Sequence, residues 1–271
     1  MPEGPEIRRA ADRIERAIKD QSTQEVWFAF EHLKPFGPAL SGSLVTGVET
    51  RGKAMLIHFH NELSIYSHNQ LYGRWQVRQP HSYPKTNRQL RLAIHNAQKS
   101  ALLYSASDID VLNPAQVATH PFLSRLGPDI LSAPTAELFL QVSDKRFARR
   151  QLGALLLDQG FLAGVGNYLR SEILFISGLH PKKRPTDCSA DQLVTLAEST
   201  HRVAWQSYRH NGVTCDLKVA RQLKLEGLNR SQYRHWVFMR TGRPCRQCGT
   251  PVESTRIASR RLNYCPVCQP L

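Results

Sequence analysis

Four cysteines carry the clearest chemistry in this chain. Cys245 and Cys248 are separated by two residues, and after sixteen intervening residues Cys265 and Cys268 are separated by two again. Two such pairs suit one tetrahedral Zn²⁺ held by four thiolates, each pair on a turn and the stretch between them folded as a β-hairpin. Four protein ligands leave no open position for water, so the ion is structural. Two disulfides are the competing assignment. The N-terminus MPEGPEIRRA has no apolar signal region, and two further cysteines, Cys188 and Cys215, read as ordinary thiols, so zinc is preferred.

A second chemistry sits at the N-terminus. Removal of Met1 would expose the secondary amine of Pro2, a nucleophile of the kind that N-terminal amines provide. Condensed with an aldehyde carbon, a secondary amine gives a cationic iminium, which acidifies the neighbouring carbon. Glu3 lies beside it as a general acid or base. The plainer reading of the same residues is a cap for the helix that follows. A third candidate is the run Gly160, Gly164, Gly166 ahead of Asn167. Glycines let backbone N–H groups approach a phosphate, and a helix starting at Asn167 would point its positive end there. The plainer reading is a turn between packed helices with Asn167 as N-cap.

The elements that must position these residues differ between the two halves. Ile7, Ala10, Ala11, Ile14, Ala17 and Ile18 recur at helical spacing and predict a helix over 3–19. From about 24 to 105 the texture is short β-type runs: 24–30, 54–60, 63–68, 73–78, 89–95 and 100–105. Asn61-Glu62 reads as a hairpin turn. Strands with no intervening helices imply an antiparallel sandwich or barrel. From about 114 the period is helical, through PAQVATHPFLSRLG and PTAELFLQVSDKRFARRQLGALLLDQ. The turn at 160–166 leads into a helix over 167–178, then a charged linker at 180–192 and a helix over 190–208. Residues 209–240 give no readable pattern.

Composition sets the bounds. The 271 residues are 41% hydrophobic, enough for a packed core, and no run approaches the roughly 18 apolar residues of a membrane span. The net charge of +14 and a pI near 9.9 point to a polyanion, nucleic acid before membrane surface. Residues 1–135 carry a net +3 and residues 136–271 a net +11, so the second half should make most phosphate contacts. Arg240, Arg243, Arg246, Arg256, Arg260 and Arg261 crowd the cysteine module, where guanidinium groups suit phosphates.

Five features occur in a fixed order: MPEGPE at the start, RGKA at 51–54, SHNQLYG at 67–73, the glycine turn into Asn167, and the terminal four-cysteine finger. Together they resemble the family of bifunctional DNA glycosylase/AP lyases that includes formamidopyrimidine-DNA glycosylase and endonuclease VIII. Gly4 and the contiguous Gln70-Leu71-Tyr72 are similar to the endonuclease VIII branch. The resemblance implies an α+β fold: an N-terminal antiparallel β-sandwich flanked by a helix, then a helix-two-turn-helix domain, then a zinc-finger hairpin. The domains would run 1–125, 126–238 and 239–271.

The resemblance also assigns roles. Pro2 would be the Schiff-base nucleophile and Glu3 the carboxylate assisting sugar ring opening. Lys53 would donate a proton and bind phosphate around β-elimination, and Arg260 would serve δ-elimination. Gln70, Leu71 and Tyr72 would fill the hole left by an everted base. Gln70, Arg125 and Asn167 would contact DNA. Cys245, Cys248, Cys265 and Cys268 would hold one structural Zn²⁺, the only cofactor. The implied partner is double-stranded DNA with oxidised pyrimidines, such as thymine glycol, or abasic sites, bound by a monomer in a bacterial cytoplasm at the nucleoid. An 8-oxoguanine-directed formamidopyrimidine glycosylase and a non-catalytic zinc-containing DNA-binding protein are the alternatives. Residues 209–235 match no pattern of the family, which bears most on substrate range.

Overall fold

A computed structural model describes residues 2–271; Met1, whose removal the Pro2 chemistry requires, lies outside the described residues. The chain divides into two compact units. Pro2 and Glu6–Arg125 form the first; Glu3–Pro5 group with Leu126–Leu271 in the second.

The first unit is a β-sandwich. Helix α1 (Gly4–Ile18) opens the chain, with Pro5 in its first turn, where a missing N–H costs nothing. Its apolar face, Ile7, Ala10, Ala11, Ile14 and Ile18, is buried throughout. The strands are β1 (Glu25–Phe28), β2 (Val45–Arg51), β3 (Ala54–Phe59), β4 (Ser64–His68), β5 (Arg74–Arg78), β6 (Leu90–His95), β7 (Ser100–Tyr104) and β8 (Asp108–Leu112), with a short α2 (Phe36–Leu40) after β1. They form two four-stranded antiparallel sheets, β1-β6-β7-β5 and β2-β3-β4-β8. One apolar cluster joins α1 to both sheets through residues such as Val26, Val48, Ile57, Ile65, Leu92 and Leu103. Burying each such side chain is worth roughly 1.5–3 kcal/mol. The β-texture predicted for 24–105 is therefore present. The runs missed were β2 and β8, whose Gly47, Glu49, Asp108 and Asp110 are residues that strands disfavour, and the one-and-a-half-turn α2.

The second unit is helical. It contains α4 (Thr135–Val142), α5 (Leu152–Leu155), α6 (Asn167–Ile176), α7 (Ala190–Arg209), α8 (Leu217–Leu225) and α9 (Arg230–Tyr233), then a two-stranded hairpin, β9 (Glu253–Ile257) and β10 (Arg260–Tyr264). A short α3 (Pro114–Thr119) closes the first unit, capped by Asn113 and ended ahead of Pro121, so PAQVATHPFLSRLG is not helical throughout. The predicted continuous helical run over 134–159 is corrected in the same way. It breaks into α4 and α5, because Asp144 draws the Arg146 amide (2.8 Å) and guanidinium Nε (2.8 Å) into a local turn. Residues 180–192 join two parts of one unit: Thr186 donates to Ala148 O (3.1 Å), and Ser189 caps α7 through Gln192. The unread stretch 209–240 holds α8, capped by Asp216, and α9, capped by Asn229. Burial pushes the Cys215 thiol up to about 12, in keeping with an inert residue.

Candidate active site

Glu3 is almost fully buried and caps a helix, though not the one that follows it in sequence. Its Oε2 accepts from Gly166 N (2.7 Å) and Leu169 N (3.2 Å), and its Oε1 from Tyr168 N (2.8 Å). These are orphan donors of the first turn of α6, and the carboxylate also meets the positive end of that helix. Gly166 occupies the N-cap position with no side chain of its own to offer. A Cβ there would lie 2.4 Å from Glu3 Cδ, so only glycine admits the carboxylate. Gly4 N donates to Gly164 O (2.8 Å), and Gly164 has φ +97°, a region that favours glycine. The glycine turn thus receives a carboxylate already, and Asn167 is not the cap that the sequence suggests. Asn167 is the first helical residue, and its Oδ1 accepts from Arg170 Nη2 (2.8 Å).

In the first unit a cavity of about 450 Å³ is lined by Pro2 together with Asn69, Leu71, Tyr72, Arg74 and Arg88, among others. The loop 69–73 that supplies Leu71 and Tyr72 is built to present them. Asn69 O accepts from Gly73 N (2.7 Å), and a Cβ on Gly73 would meet the Asn69 backbone at 2.6 Å, so the loop closes tightly. Gln70 takes φ +46°, its amide donates to His68 Nδ1 (3.1 Å), and its Oε1 accepts from Ser107 Oγ (2.9 Å). Arg88 Nη1 donates to Tyr72 O (2.7 Å). Leu71 and Tyr72 are left 56% and 70% exposed, an adjacent apolar and aromatic pair.

Lys53 is buried in the two-residue loop between β2 and β3, where Arg51 pairs with Ala54 and Gly52 supplies the positive φ (+60°) at the first turn position. Ala54 also pairs with His68, so Lys53 and the 69–73 loop leave the sheet at the same end. The charge on Lys53 adds to burial in lowering the His68 pKa. Arg125 is exposed on the last turn of the first unit, with Nε donating to Pro121 O (2.6 Å).

Arg260 opens β10 and is exposed. The hairpin turn before it is Ala258-Ser259, both at positive φ (+52° and +60°), the two-residue turn whose twist suits antiparallel strands. Arg170 anchors that tip. It is fully buried on α6 and donates to the carbonyls of Gly153 (2.6 Å), Ile257 (3.2 Å), Arg260 (3.1 Å) and Arg261 (3.2 Å). Burial lowers its pKa to about 10. Sequence reasoning passed over Arg170, although a charge inside the otherwise apolar stretch NYLRSEILFI was the visible signal. Asn69, Arg74 and Arg88 were also passed over; nothing in the sequence distinguishes them from loop residues.

The four finger cysteines converge. Cys245 and Cys268 sulfurs lie 3.9 Å apart, Cys248 and Cys265 sulfurs 3.5 Å, and all four fall within 4.8 Å of one another. Tetrahedral zinc with Zn–S of about 2.3 Å requires sulfurs about 3.8 Å apart. The site therefore fits one structural Zn²⁺. Val237, Val252 and Phe175 pack with Cys245 and Cys265 in a small apolar core, which ties the finger to α6.

Known proteins extend these observations. The chain matches the formamidopyrimidine-DNA glycosylase N-terminal domain over residues 1–106, the H2TH domain of the same enzyme over 126–218, and the zinc finger found in FPG and IleRS over 242–271. It is 48% identical to endonuclease 8 of Escherichia coli (strain K12 / DH10B), over 99% of this chain and 100% of that one. Endonuclease 8 of Salmonella dublin is 47% identical with the same coverage. Among solved structures, Lactococcus lactis Fpg bound to abasic-site DNA superposes with a TM-score of 0.81 at 18% identity, covering 99% of this chain and 100% of that one. The same protein bound to DNA containing an oxidised pyrimidine also gives 0.81 at 18%, with full coverage of both chains.

Proposed function

The chain belongs to the formamidopyrimidine-DNA glycosylase family, and from that premise we propose that it is a base-excision-repair DNA glycosylase with AP lyase activity. Its substrates are oxidised pyrimidines such as thymine glycol, and abasic sites, in double-stranded DNA. The observation that carries this reading is the single cavity lined by Pro2, Leu71 and Tyr72: a nucleophile beside an exposed apolar and aromatic pair. A reaction at a base within a duplex requires that base to leave the stack, and side chains of this kind replace the lost stacking.

The chemistry proceeds as follows. With Met1 removed, the Pro2 amine attacks C1′ of the everted nucleotide; the C1′–N bond breaks and the base leaves with its electron pair. Glu3 assists opening of the sugar ring, leaving an iminium between Pro2 and C1′. Loss of a C2′ proton then expels the 3′ phosphate. A second elimination expels the 5′ phosphate, with Arg260 serving that step and Lys53 donating a proton and holding phosphate around the first. Water hydrolyses the remaining iminium. The cap described above gives Glu3 a fixed position beside Pro2 in the chain. Arg125, Asn167 and Gln70 contact DNA, and the excess of basic residues in the second half supplies the phosphate contacts. The enzyme acts as a monomer. Among the described residues no helix is long and apolar enough to cross a membrane, and a nucleoid location follows from the DNA substrate.

Borohydride trapping tests this reading. Duplexes carrying thymine glycol, 8-oxoguanine or an abasic site are incubated with the protein and reductant. A covalent adduct at Pro2 is the expected outcome with thymine glycol and abasic DNA. Adducts favouring 8-oxoguanine would move the enzyme to the purine-directed branch. No adduct with any duplex would leave a DNA-binding protein without the lyase chemistry. The mass of the purified chain checks that Met1 is gone.

A further inference from the structure

A second cavity, of about 360 Å³, lies in the second unit beside the first knuckle of the finger, and none of Pro2, Glu3, Lys53 and Arg260 lines it. Its lining includes Arg234, His235, Arg240, Arg243 and Arg246. Among the described residues none of these four arginines makes an ion pair. Their partners are carbonyls. Arg240 donates to Trp236 O and Pro244 O (2.8 Å), and Arg246 donates to His235 O (3.1 Å) and Gln232 O. Each guanidinium has five donors, so protein carbonyls take only some of the N–H groups around this cavity. Arg234 Nε is buried with no acceptor at all.

His235 adds the opposite chemistry. It is 1% exposed. Thr214 Oγ1 donates its one proton to Glu172 Oε2 (2.5 Å), and so accepts from His235 Nδ1 (2.9 Å). Glu172 is itself held by the amides of Trp236, Val237 and Phe238 (2.8–2.9 Å). With the proton on Nδ1, the Nε2 of His235 is a lone-pair acceptor, buried and without a donor. Burial, with Arg234, Arg230 and Arg246 around it, holds the ring neutral. A buried donor and a buried acceptor, each without a partner, therefore stand on consecutive residues lining one cavity. Unmatched groups of this kind cost roughly 1–3 kcal/mol apiece unless something completes them.

We propose that this cavity is a binding site for a protonated phosphoryl group: its negative oxygens meet the guanidinium groups and, once a shift of the His235 side chain uncovers Nε2 to the cavity, its P–O–H donates to that nitrogen. Inorganic phosphate carries that proton across neutral pH. A phosphate at a DNA strand end carries it near pH 6, where the second ionisation occurs. Sulfate and internal phosphodiesters lack it. A site with a buried acceptor rejects a ligand that has no donor to give it. The site is independent of the glycosylase reading and would stand if that reading failed.

Calorimetric titration of the full-length, zinc-loaded protein with phosphate and with sulfate, against chloride at matched ionic strength, tests the site. Saturable 1:1 phosphate binding, at least tenfold tighter than sulfate, is expected. Arg243→Gln should weaken both anions at least fivefold; Arg243 has no side-chain hydrogen bond among the described residues, so the fold has little to lose. His235→Phe keeps a ring of similar shape and should erase the preference for phosphate. At pH 6, oligonucleotide duplexes with a terminal phosphate or a terminal hydroxyl separate the two sources: tighter binding of the phosphate end assigns a strand end, and equal binding assigns the free anion. If the wild-type protein does not distinguish phosphate from sulfate, or His235→Phe keeps the preference, the proposal is wrong.

Discussion

The carboxylate of Glu3 and the backbone amide of Gly166 lie 2.7 Å apart, although 163 positions separate them in the chain. Helix α6 has no cap of its own, and the second residue of the glycosylase-like PEGPE sequence supplies it. One contact therefore sets the start of α6 and the orientation of a carboxylate that the proposed chemistry uses. Gly166→Ala would force a methyl group to within 2.4 Å of Glu3 Cδ. Loss of the cap should cost about 1–2 kcal/mol of stability, read by thermal unfolding. Borohydride trapping on abasic DNA should fall with it. Glu3→Gln should behave similarly, since an amide NH₂ would face one of the three N–H donors. Full trapping in Gly166→Ala would show that the cap does not position the reacting groups.

Leu71 and Tyr72 should separate base removal from strand cleavage. Stacking on a base is worth about 1–3 kcal/mol, so Leu71→Gly or Tyr72→Ala should slow excision of thymine glycol by roughly fivefold to a hundredfold. Cleavage at a ready-made abasic site, where no base needs to leave the stack, should change much less. Single-turnover rates on the two duplexes give the comparison; equal losses on both would place these residues in general DNA binding instead.

Arg170 should govern the hairpin tip. Arg170→Met leaves the carbonyls of Gly153, Ile257, Arg260 and Arg261 without their buried donor. We expect a stability loss on the order of 3 kcal/mol, and a shift in product ratio from double towards single elimination as Arg260 loses its fixed place. Gel analysis of the 5′ and 3′ ends reads the ratio. An unchanged ratio in a folded variant would detach Arg260 from the second elimination.

Zinc removal should loosen DNA binding and leave the nucleophile in place. Chelation or Cys245→Ser dissolves the small core in which Cys245 and Cys265 pack with Phe175, Val237 and Val252. Affinity for a non-cleavable abasic duplex should drop at least tenfold and the salt dependence should flatten as arginine contacts are lost. Retained affinity would mean that the finger only stabilises the fold.

Acid should weaken the contacts of Glu49 with His58 and Arg51. The hydrogen bond from His58, with Arg51 assisting against burial, lowers the Glu49 pKa from 4.5 to about 2. Because the folded-state value is the depressed one, the stabilisation is present above about pH 4.5 and is lost as pH falls towards 2. Glu49 is two-fifths exposed, so screening keeps the effect below roughly 1 kcal/mol. Urea unfolding should separate wild type from Glu49→Gln at pH 6 and bring them together near pH 2.

Local pattern was enough wherever one element or one short spacing decided the outcome. The 3.6-residue spacing of Ile7, Ala11, Ile14 and Ile18 dictates α1, short β-type runs between turns dictate six of the strands of the sandwich, and two Cys-x₂-Cys pairs dictate a zinc site whose sulfurs are close enough for tetrahedral coordination. The order of short motifs identified the family. Elsewhere, polar residues on β2 and β8 hid strands whose hydrogen bonds come from neighbours far along the chain, and Asp144 ended a helix that propensity alone would have continued.

What the tertiary structure alone decided is which distant groups satisfy one another. Asn167 has the right chemistry for an N-cap, yet Glu3 takes that role, because folding brings a charged acceptor to the orphan donors of α6 and a carboxylate outbids an amide for them. Arg170 looks misplaced in an apolar helix until the carbonyls of the finger tip close around it. Arg234 and His235 look like any surface pair until each is seen to hold a buried, unmatched polar atom beside one cavity. Spacing along a chain records periodic burial and local ligands. Hydrogen-bond complementarity between segments more than a hundred residues apart has no periodicity, and only the folded arrangement determines it.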